Sequence, residues 1–142
     1  MWEKVSEMIR GFYYDVASDT AVCSSFRGQL GGVPSGATRL YCARIGMQDA
    51  SLFFAFSAQK SVCESLLKDR FTANLNDMPM TNGVPDWIIK YGPEQKIPAK
   101  WNENWDISKN GPYQILETHY NGPTTILYSP KAGRMYICMQ SD

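Results

Sequence analysis

The stretch "SLFFAFSA", residues 51–58, decides the fold class of this 142-residue chain. Its apolar side chains alternate between two faces: Leu52, Phe54 and Phe56 point to one side, and Phe53 and Ala55 point to the other. Because both sides are apolar, a strand of this kind needs a covering layer on each face. The stretch therefore predicts a central strand of a β-sheet.

A helix is predicted directly after this strand, over about residues 58–71. Ser61 precedes Glu64 by three residues, the spacing of a capping box, in which both side chains bind backbone N–H groups at the start of a helix. An apolar stripe follows at helical spacing and consists of Val62, Cys63, Leu66, Leu67 and Phe71. The sequence thus places an amphipathic helix against one face of the sheet.

The C-terminal residues predict a three-stranded antiparallel meander. "YQILETHY" (113–120) and "TTILYS" (124–129) are strand-like, and the Asn121-Gly122 pair between them is typical of a tight turn. A second turn is predicted at "SPKAG" (129–133), since proline presets one turn position and glycine accepts a positive φ. "RMYICMQ" (134–140) then completes the meander.

The N-terminal third gives weaker signals. Apolar side chains recur at helical spacing among charged ones over about residues 2–16, which predicts a second helix. Strands are predicted at 21–26 and 38–45, on either side of a glycine-rich loop at 27–37. Together these elements predict a single α+β domain over residues 1–142, with an antiparallel sheet of about five to six strands packed with two helices.

Composition restricts the classes of partner and compartment. Fourteen basic residues balance fourteen acidic ones, so the chain offers no net attraction for nucleic acid, and we expect no nucleic-acid partner. No apolar run approaches the ~20 residues of a membrane-spanning helix. The first sixteen residues are charged throughout, which favours a cytoplasmic protein as the sequence stands. A periplasmic location is the alternative if a signal or anchor segment has been removed.

No constellation of residues indicates catalysis. His119 is the only histidine, and no nucleophile motif accompanies it, so we predict no catalytic residue, no metal site and no cofactor. Glu103 and Asp106 have the spacing of ordinary surface carboxylates. A small hydrolase or transferase that pairs Cys42 or another thiol with His119 is the least favoured alternative.

The four cysteines fit buried thiols better than a disulfide framework. They are Cys23, Cys42, Cys63 and Cys138, and no C-x-x-C pair occurs among them. A bridge between Cys23 and Cys42 is the alternative, because both lie in predicted strands that flank the glycine-rich loop.

Residues 72–111 hold the candidate partner-binding residues. This segment is interrupted by prolines and shows one helical turn, "DWIIKY" (86–91), ahead of Gly92. Its large aromatic side chains are the candidates for contact with a partner: Trp87, Tyr91, Trp101 and Trp105. Alternatively these side chains pack inward over the sheet, or Trp101 and Trp105 share an exposed face that stacks on a sugar.

The order of features also resembles a group of small bacterial proteins. "FFAFSA", an apolar-striped helix, a tryptophan and the terminal "ILYSPKAGRMYI" are similar to small uncharacterised proteins of the envelope-associated or toxin-immunity type. The resemblance covers residues 51–71 and 101–139, contains no catalytic motif and assigns no residue a role. It implies a protein partner, namely a toxin. We therefore expect a non-catalytic protein-binding module, with a small-ligand or glycan-binding module of the cell envelope as the alternative.

Overall fold

The computed structural model describes residues 3–9, 12–18, 24–46 and 49–140. The strands are β1 (Glu3–Ile9), β2 (Phe12–Ser18), β3 (Thr38–Ile45), β4 (Ser51–Ser57), β5 (Met80–Thr81), β6 (Tyr113–His119), β7 (Pro123–Ser129) and β8 (Arg134–Met139). The helices are α1 (Ser24–Leu30), α2 (Lys60–Phe71), α3 (Asp86–Tyr91) and α4 (Pro93–Lys96), with 3-10 turns at Leu75–Asp77 and Ala99–Trp101. The α+β class is confirmed.

All strands join one antiparallel sheet in the order β1-β2-β3-β4-β8-β7-β6-β5. Seven of them have six to eight residues and β5 has two, so the sheet is wider than the five to six strands predicted. The chain also forms more helices than the two predicted, although α4 is a single turn of four residues. None of the helices in the described ranges has the length and apolar character needed to span a bilayer.

β4 is the central strand, as its alternation predicts. It pairs with β3 on one side and β8 on the other. Phe54 and Phe56 belong to a first core on the face covered by α1 and α2, where Phe26 packs edge-on against Phe54 with ring centroids 5.1 Å apart. Phe53 and Ala55 belong to a second core on the opposite face, covered by residues 84–107. The two cores explain why both faces of β4 are apolar.

The helix predicted over about residues 2–16 is wrong. This region forms the hairpin β1–β2, with Val5 opposite Val16 and Ile9 opposite Phe12. A spacing of four residues returns to the same face of a strand as well as of a helix, so the apolar spacing alone could not separate the two. Pairing of β2 with β3 then decides the outcome, because it satisfies the backbone and buries Tyr14 and Val16.

The strand predicted at 21–26 is also wrong where the structure describes it. Residues 24–26 begin α1, and the predicted loop at 27–37 starts only after that helix ends at Leu30. Phe26 and Leu30 lie one helical turn apart and are both buried in the first core, and this packing overrides the strand-like composition. Residues 21–23 lie outside the described residues.

α2 is confirmed as a helix, but its predicted capping box is absent. The helix begins at Lys60 with Gln59 as the N-cap, and no side chain caps it. Because the amide of Cys63 already donates to the Gln59 carbonyl, Ser61 lies inside the first turn and cannot serve as the cap. The helix ends at Phe71, and the C-cap residue Thr72 adopts a left-handed conformation with φ of 51°.

The C-terminal meander is confirmed as β6–β7–β8. Asn121 and Gly122 both have positive φ in the first connection, as the tight-turn signal predicts. Gly133 has a φ of 62° in the second connection, and its amide donates to the Ser129 carbonyl at 2.9 Å. The second turn places Arg134 at the start of β8, directly opposite Ser129 of β7.

The helical turn predicted at 86–91 is confirmed as α3, and Gly92 follows it as predicted. A Cβ atom at Gly92 would lie 2.1 Å from the Ile88 carbonyl oxygen and 3.3 Å from the ring of Phe53. Only glycine therefore allows α4 to turn back so close to α3 and to the sheet. The pair α3–α4 forms the layer over the second core.

Candidate functional site

A buried ion-pair network holds residues 102–110 against the sheet. Arg134, at the start of β8, is fully buried, and its Nε donates to Asp106 Oδ1 at 2.8 Å. Its two terminal nitrogens donate to the carbonyls of Arg39 and Asn104 and to the Ser57 hydroxyl. All three nitrogens of the guanidinium donate hydrogen bonds, so the network fixes residues 102–110 to strands β3, β4 and β8.

Arg39 joins this network through an irregular backbone conformation. It has a φ of 51°, and the pairing of β3 with β4 shifts register beside it, between Thr38 and Tyr41. This irregularity aims the Arg39 carbonyl at Arg134, while its own guanidinium bonds Asp106 Oδ2 at 2.9 Å. Asp106 thus accepts from arginine on both oxygens. The interpretation of Asp106 as an ordinary surface carboxylate is wrong, because its side chain is only 10% exposed.

The network also sets the protonation of its members. Burial alone would raise the pKa of the Asp106 carboxyl, but hydrogen bonds from Tyr136 and the charge of Arg134 outweigh it and lower the pKa from 3.8 to about 2. Tyr136 donates to Asp106 at 2.6 Å, and burial together with that bond raises the pKa of Tyr136. Asp106 is therefore ionised and Tyr136 protonated at neutral pH.

Acid titration should reveal the contribution of Asp106 to stability. Its pKa is lower in the folded state than the ordinary 3.8, so the stabilisation is present above about pH 4 and lost as the pH falls toward 2. We expect about 2 kcal/mol of the free energy of unfolding to be lost over that window. Urea unfolding at pH 2, 3, 4 and 5 measures it.

Two variants identify the group responsible for that loss. Asp106→Asn should flatten the pH dependence between pH 2 and 4, because it removes the titrating carboxyl. Asp69→Asn changes an exposed carboxylate on α2 and should keep the wild-type slope. An unchanged slope in Asp106→Asn would contradict the assignment.

The structure separates the four candidate aromatic residues into two sets. Trp105 is buried at 6% exposure and packs against Tyr41, Phe53 and Tyr136, with ring centroids 5.2 to 5.8 Å away. Its indole N–H is buried and has no hydrogen-bond partner within the described residues. Trp105 is thus part of the second core.

The other three aromatic residues lie on the outer layer. Tyr91 is 53% exposed at the end of α3. Trp87 and Trp101 are half-buried, and both pack on the second core with part of each side chain open to solvent. Lys90 lies over the Tyr91 ring at 5.4 Å and Lys100 over the Trp101 ring at 5.3 Å. We refer to Trp87, Tyr91 and Trp101 with these two lysines as the outer aromatic surface.

Trp101 and Trp105 do not share an exposed face. The 3-10 turn ends at Trp101, and the Asn102 side chain donates to the carbonyls of Pro93 and Ile97, so the chain reverses there and turns Trp105 inward. The geometry needed for sugar stacking on that pair is therefore absent.

The thiols of the described residues are poorly placed for nucleophilic chemistry. Cys42, Cys63 and Cys138 are all buried. Cys23, and with it the alternative of a Cys23–Cys42 bridge, lies outside the described residues. Burial and the neighbouring Glu64 raise the pKa of Cys63 to about 11, and burial raises the pKa of Cys138 as well. A thiol protonated at neutral pH is a weak nucleophile.

His119 is far from Cys42, a thiol that the hydrolase alternative would place beside it. Cys42 lies on β3 and His119 on β6, with β4, β8 and β7 between them. At ~4.8 Å per strand spacing the separation is roughly 19 Å, too far for proton transfer between the two side chains. Over the described ranges, no three His, Cys, Asp or Glu side chains group into a metal-binding arrangement.

Comparison of the sequence with protein-family models, and of the chain with curated proteins and solved structures, gives no match. Of the features described here, sequence reasoning missed the Arg134–Asp106 network. The available signal was Arg134 itself, a charge at the start of an otherwise apolar strand.

Proposed function

We propose that this chain is a non-catalytic protein-binding module, and in particular an immunity-type inhibitor that binds and occludes a bacterial toxin. The observation that carries the proposal is the outer aromatic surface, above all Tyr91, whose ring is more than half exposed. Tyrosine and tryptophan are the residues that most often dominate binding energy in protein interfaces. Three of them on one layer of a small domain favour an interface.

The packing of the two tryptophans on the second core supports the same proposal. Trp87 packs on Phe53 with ring centroids 6.0 Å apart, and Trp101 packs on the second core, so these two tryptophans are already held in place before a partner arrives. Side chains that are ordered beforehand lose little conformational entropy on binding. The surface therefore needs little rearrangement to form a complex.

Charge suggests what kind of partner surface fits. Lys90 and Lys100 lie beside the two outer rings, so the aromatic anchors are flanked by positive charge. A partner with an acidic rim around an apolar patch would be complementary to this arrangement. Inhibition would follow by occlusion, because a toxin whose substrate site or docking surface is covered by this layer cannot act.

The test compares anchors with exposed apolar residues elsewhere. Tyr91→Ala and Trp101→Ala should each weaken binding to the partner toxin by about 30-fold, the ~2 kcal/mol expected for a hot spot. Met80→Ala and Val33→Ala are the matched controls, since Met80 is 56% and Val33 39% exposed but neither belongs to the outer aromatic surface. These controls should keep wild-type affinity.

The partner to be used first is the product of the gene adjacent to the gene for this chain, because immunity proteins are encoded beside their toxins. Calorimetry measures the affinity, and survival of bacteria that express the toxin measures protection. The proposal fails if no complex forms and the chain gives no protection. It also fails if the Tyr91 and Trp101 variants protect as well as the Met80 and Val33 controls.

A further inference from the structure

A groove of about 360 Å³ lies beside Trp87, at the end of β6 and the start of β7. Its lining consists of Trp87, Glu117, Thr118, Pro123, Thr124, Thr125 and Gln140. This volume is at the lower end of the range for small-molecule sites. The groove is therefore of a size for one ring rather than for a long ligand.

Strand register explains which side chains reach this groove. Ile115, Leu127 and Cys138 belong to the second core. Side chains alternate along a strand, so the residues two positions further toward this end, Glu117 and Thr125 directly opposite one another, point to the same face. Gln140 follows Cys138 by two residues, and its backbone N–H donates to the Pro123 carbonyl at 2.8 Å, which extends the same row.

Thr125 offers a hydroxyl to the groove. It is only 5% exposed, yet its hydroxyl has no hydrogen-bond partner in the part of the chain that the structure describes. By contrast, the neighbouring Thr124 hydroxyl bonds the carbonyls of Tyr120 and Gly122. Among the buried side-chain polar atoms of the described residues, Trp105 Nε1 alone lacks a partner, so the Thr125 hydroxyl keeps contact with solvent. In the groove a ligand hydroxyl can replace the water there.

The groove combines an aromatic wall with groups that both donate and accept. Trp87 provides an indole against which the C–H face of a sugar ring can pack. Glu117 accepts hydrogen bonds, whereas the Gln140 amide and the Thr125 hydroxyl do both. Adjacent hydroxyls of a pyranose also donate and accept, so one ring could engage all three side chains.

We propose that this groove is a binding site for a neutral hydroxylated ring, namely a single pyranose unit of a carbohydrate. The competing occupant is a lysine or arginine side chain of a protein. Such a cation has only donors, so it would bond Glu117 and leave the Gln140 N–H groups without an acceptor. Glu117 is also exposed, and solvent weakens its attraction for a charge. The donor and acceptor pattern thus favours the sugar.

Titration of the intact chain with glucose, galactose and N-acetylglucosamine tests the site, with tryptophan fluorescence and ligand-observed NMR as readouts. At least one sugar should bind saturably. Thr125→Val keeps the shape and removes the hydroxyl, and it should weaken that binding at least fivefold. Trp87→Ala should abolish it, and Trp87→Phe, which keeps an aromatic wall, should retain part of it. Thr38→Val, at an exposed threonine of β3, is the control and should change nothing.

Three results would overturn the site. The first is no saturable binding of any of the three sugars. The second is sugar binding that Thr125→Val leaves unchanged. The third is that Nα-acetyl-lysine methylamide, which keeps its ammonium group, binds while the sugars do not. If Glu117→Gln then abolishes that binding, the groove belongs to a cationic side chain. Tyr91→Ala should leave sugar binding intact, so the outcome is separate from that for the protein partner.

Discussion

Replacement of Arg134 by methionine is expected to lower the free energy of unfolding by about 3–5 kcal/mol, the cost of removing one member of a buried ion pair. Methionine keeps most of the volume but donates no hydrogen bond. Asp106 would then remain largely buried with its main charge partner gone, and the carbonyls of Arg39 and Asn104 would lose a donor. Urea unfolding at pH 7 measures the loss.

Arg39 supplies the matched control for this experiment. It also bonds Asp106, at 2.9 Å, but its side chain is 49% exposed. Exposed ion pairs contribute at most about 1 kcal/mol, so Arg39→Met should cost no more than that. The double variant Arg134→Met with Asp106→Leu should recover part of the stability, because both charges leave together. Equal losses in the two single arginine variants would contradict the role of burial.

The elements that sequence reasoning predicted correctly are those whose signals are local. β4 follows from apolar residues on both faces, α2 from its stripe, and the meander from an Asn-Gly turn and a turn with proline and glycine. In each case, neighbouring residues determine the backbone conformation and distant contacts only reinforce it. The same holds for α3, where Gly92 stops the helix as predicted.

The hairpin β1–β2 could not be predicted because its signal is not local. Met8, Phe12 and Val16 are spaced for either a helix or a strand. The choice depends on whether β2 can pair with β3, a partner more than twenty residues away along the chain. Tertiary pairing overrides local pattern in such cases.

The candidate site was only partly predictable for a similar reason. Aromatic composition selects Trp87, Tyr91, Trp101 and Trp105 but does not say which way each one faces. The inward direction of Trp105 depends on contacts on either side of it, namely the Asn102 hydrogen bonds and the Arg134–Asp106 pair, which joins residues 28 apart in the chain. The groove beside Trp87 likewise depends on the register of three strands and on where α3 begins, and no stretch of sequence contains that information.

Trp105→Ala is expected to lower the free energy of unfolding by about 3–5 kcal/mol, the cost of a large cavity in a well-packed core. Trp105 contacts the rings of Tyr41, Phe53 and Tyr136, so its loss would leave a void between the sheet and residues 101–107. Trp101→Ala is the control, because Trp101 is only half-buried and should cost much less. Thermal and urea unfolding of both variants make the comparison.

A third variant tests whether Trp105 serves the fold by its volume alone. Its buried indole N–H has no partner within the described residues, and such a group costs about 1–3 kcal/mol. Trp105→Phe removes that cost while keeping an aromatic ring, so it should be far less destabilising than Trp105→Ala. Since Trp105 lies beneath the outer aromatic surface, Trp105→Phe should also keep full affinity for a protein partner. A large loss of affinity in this stable variant would return Trp105 to the interface.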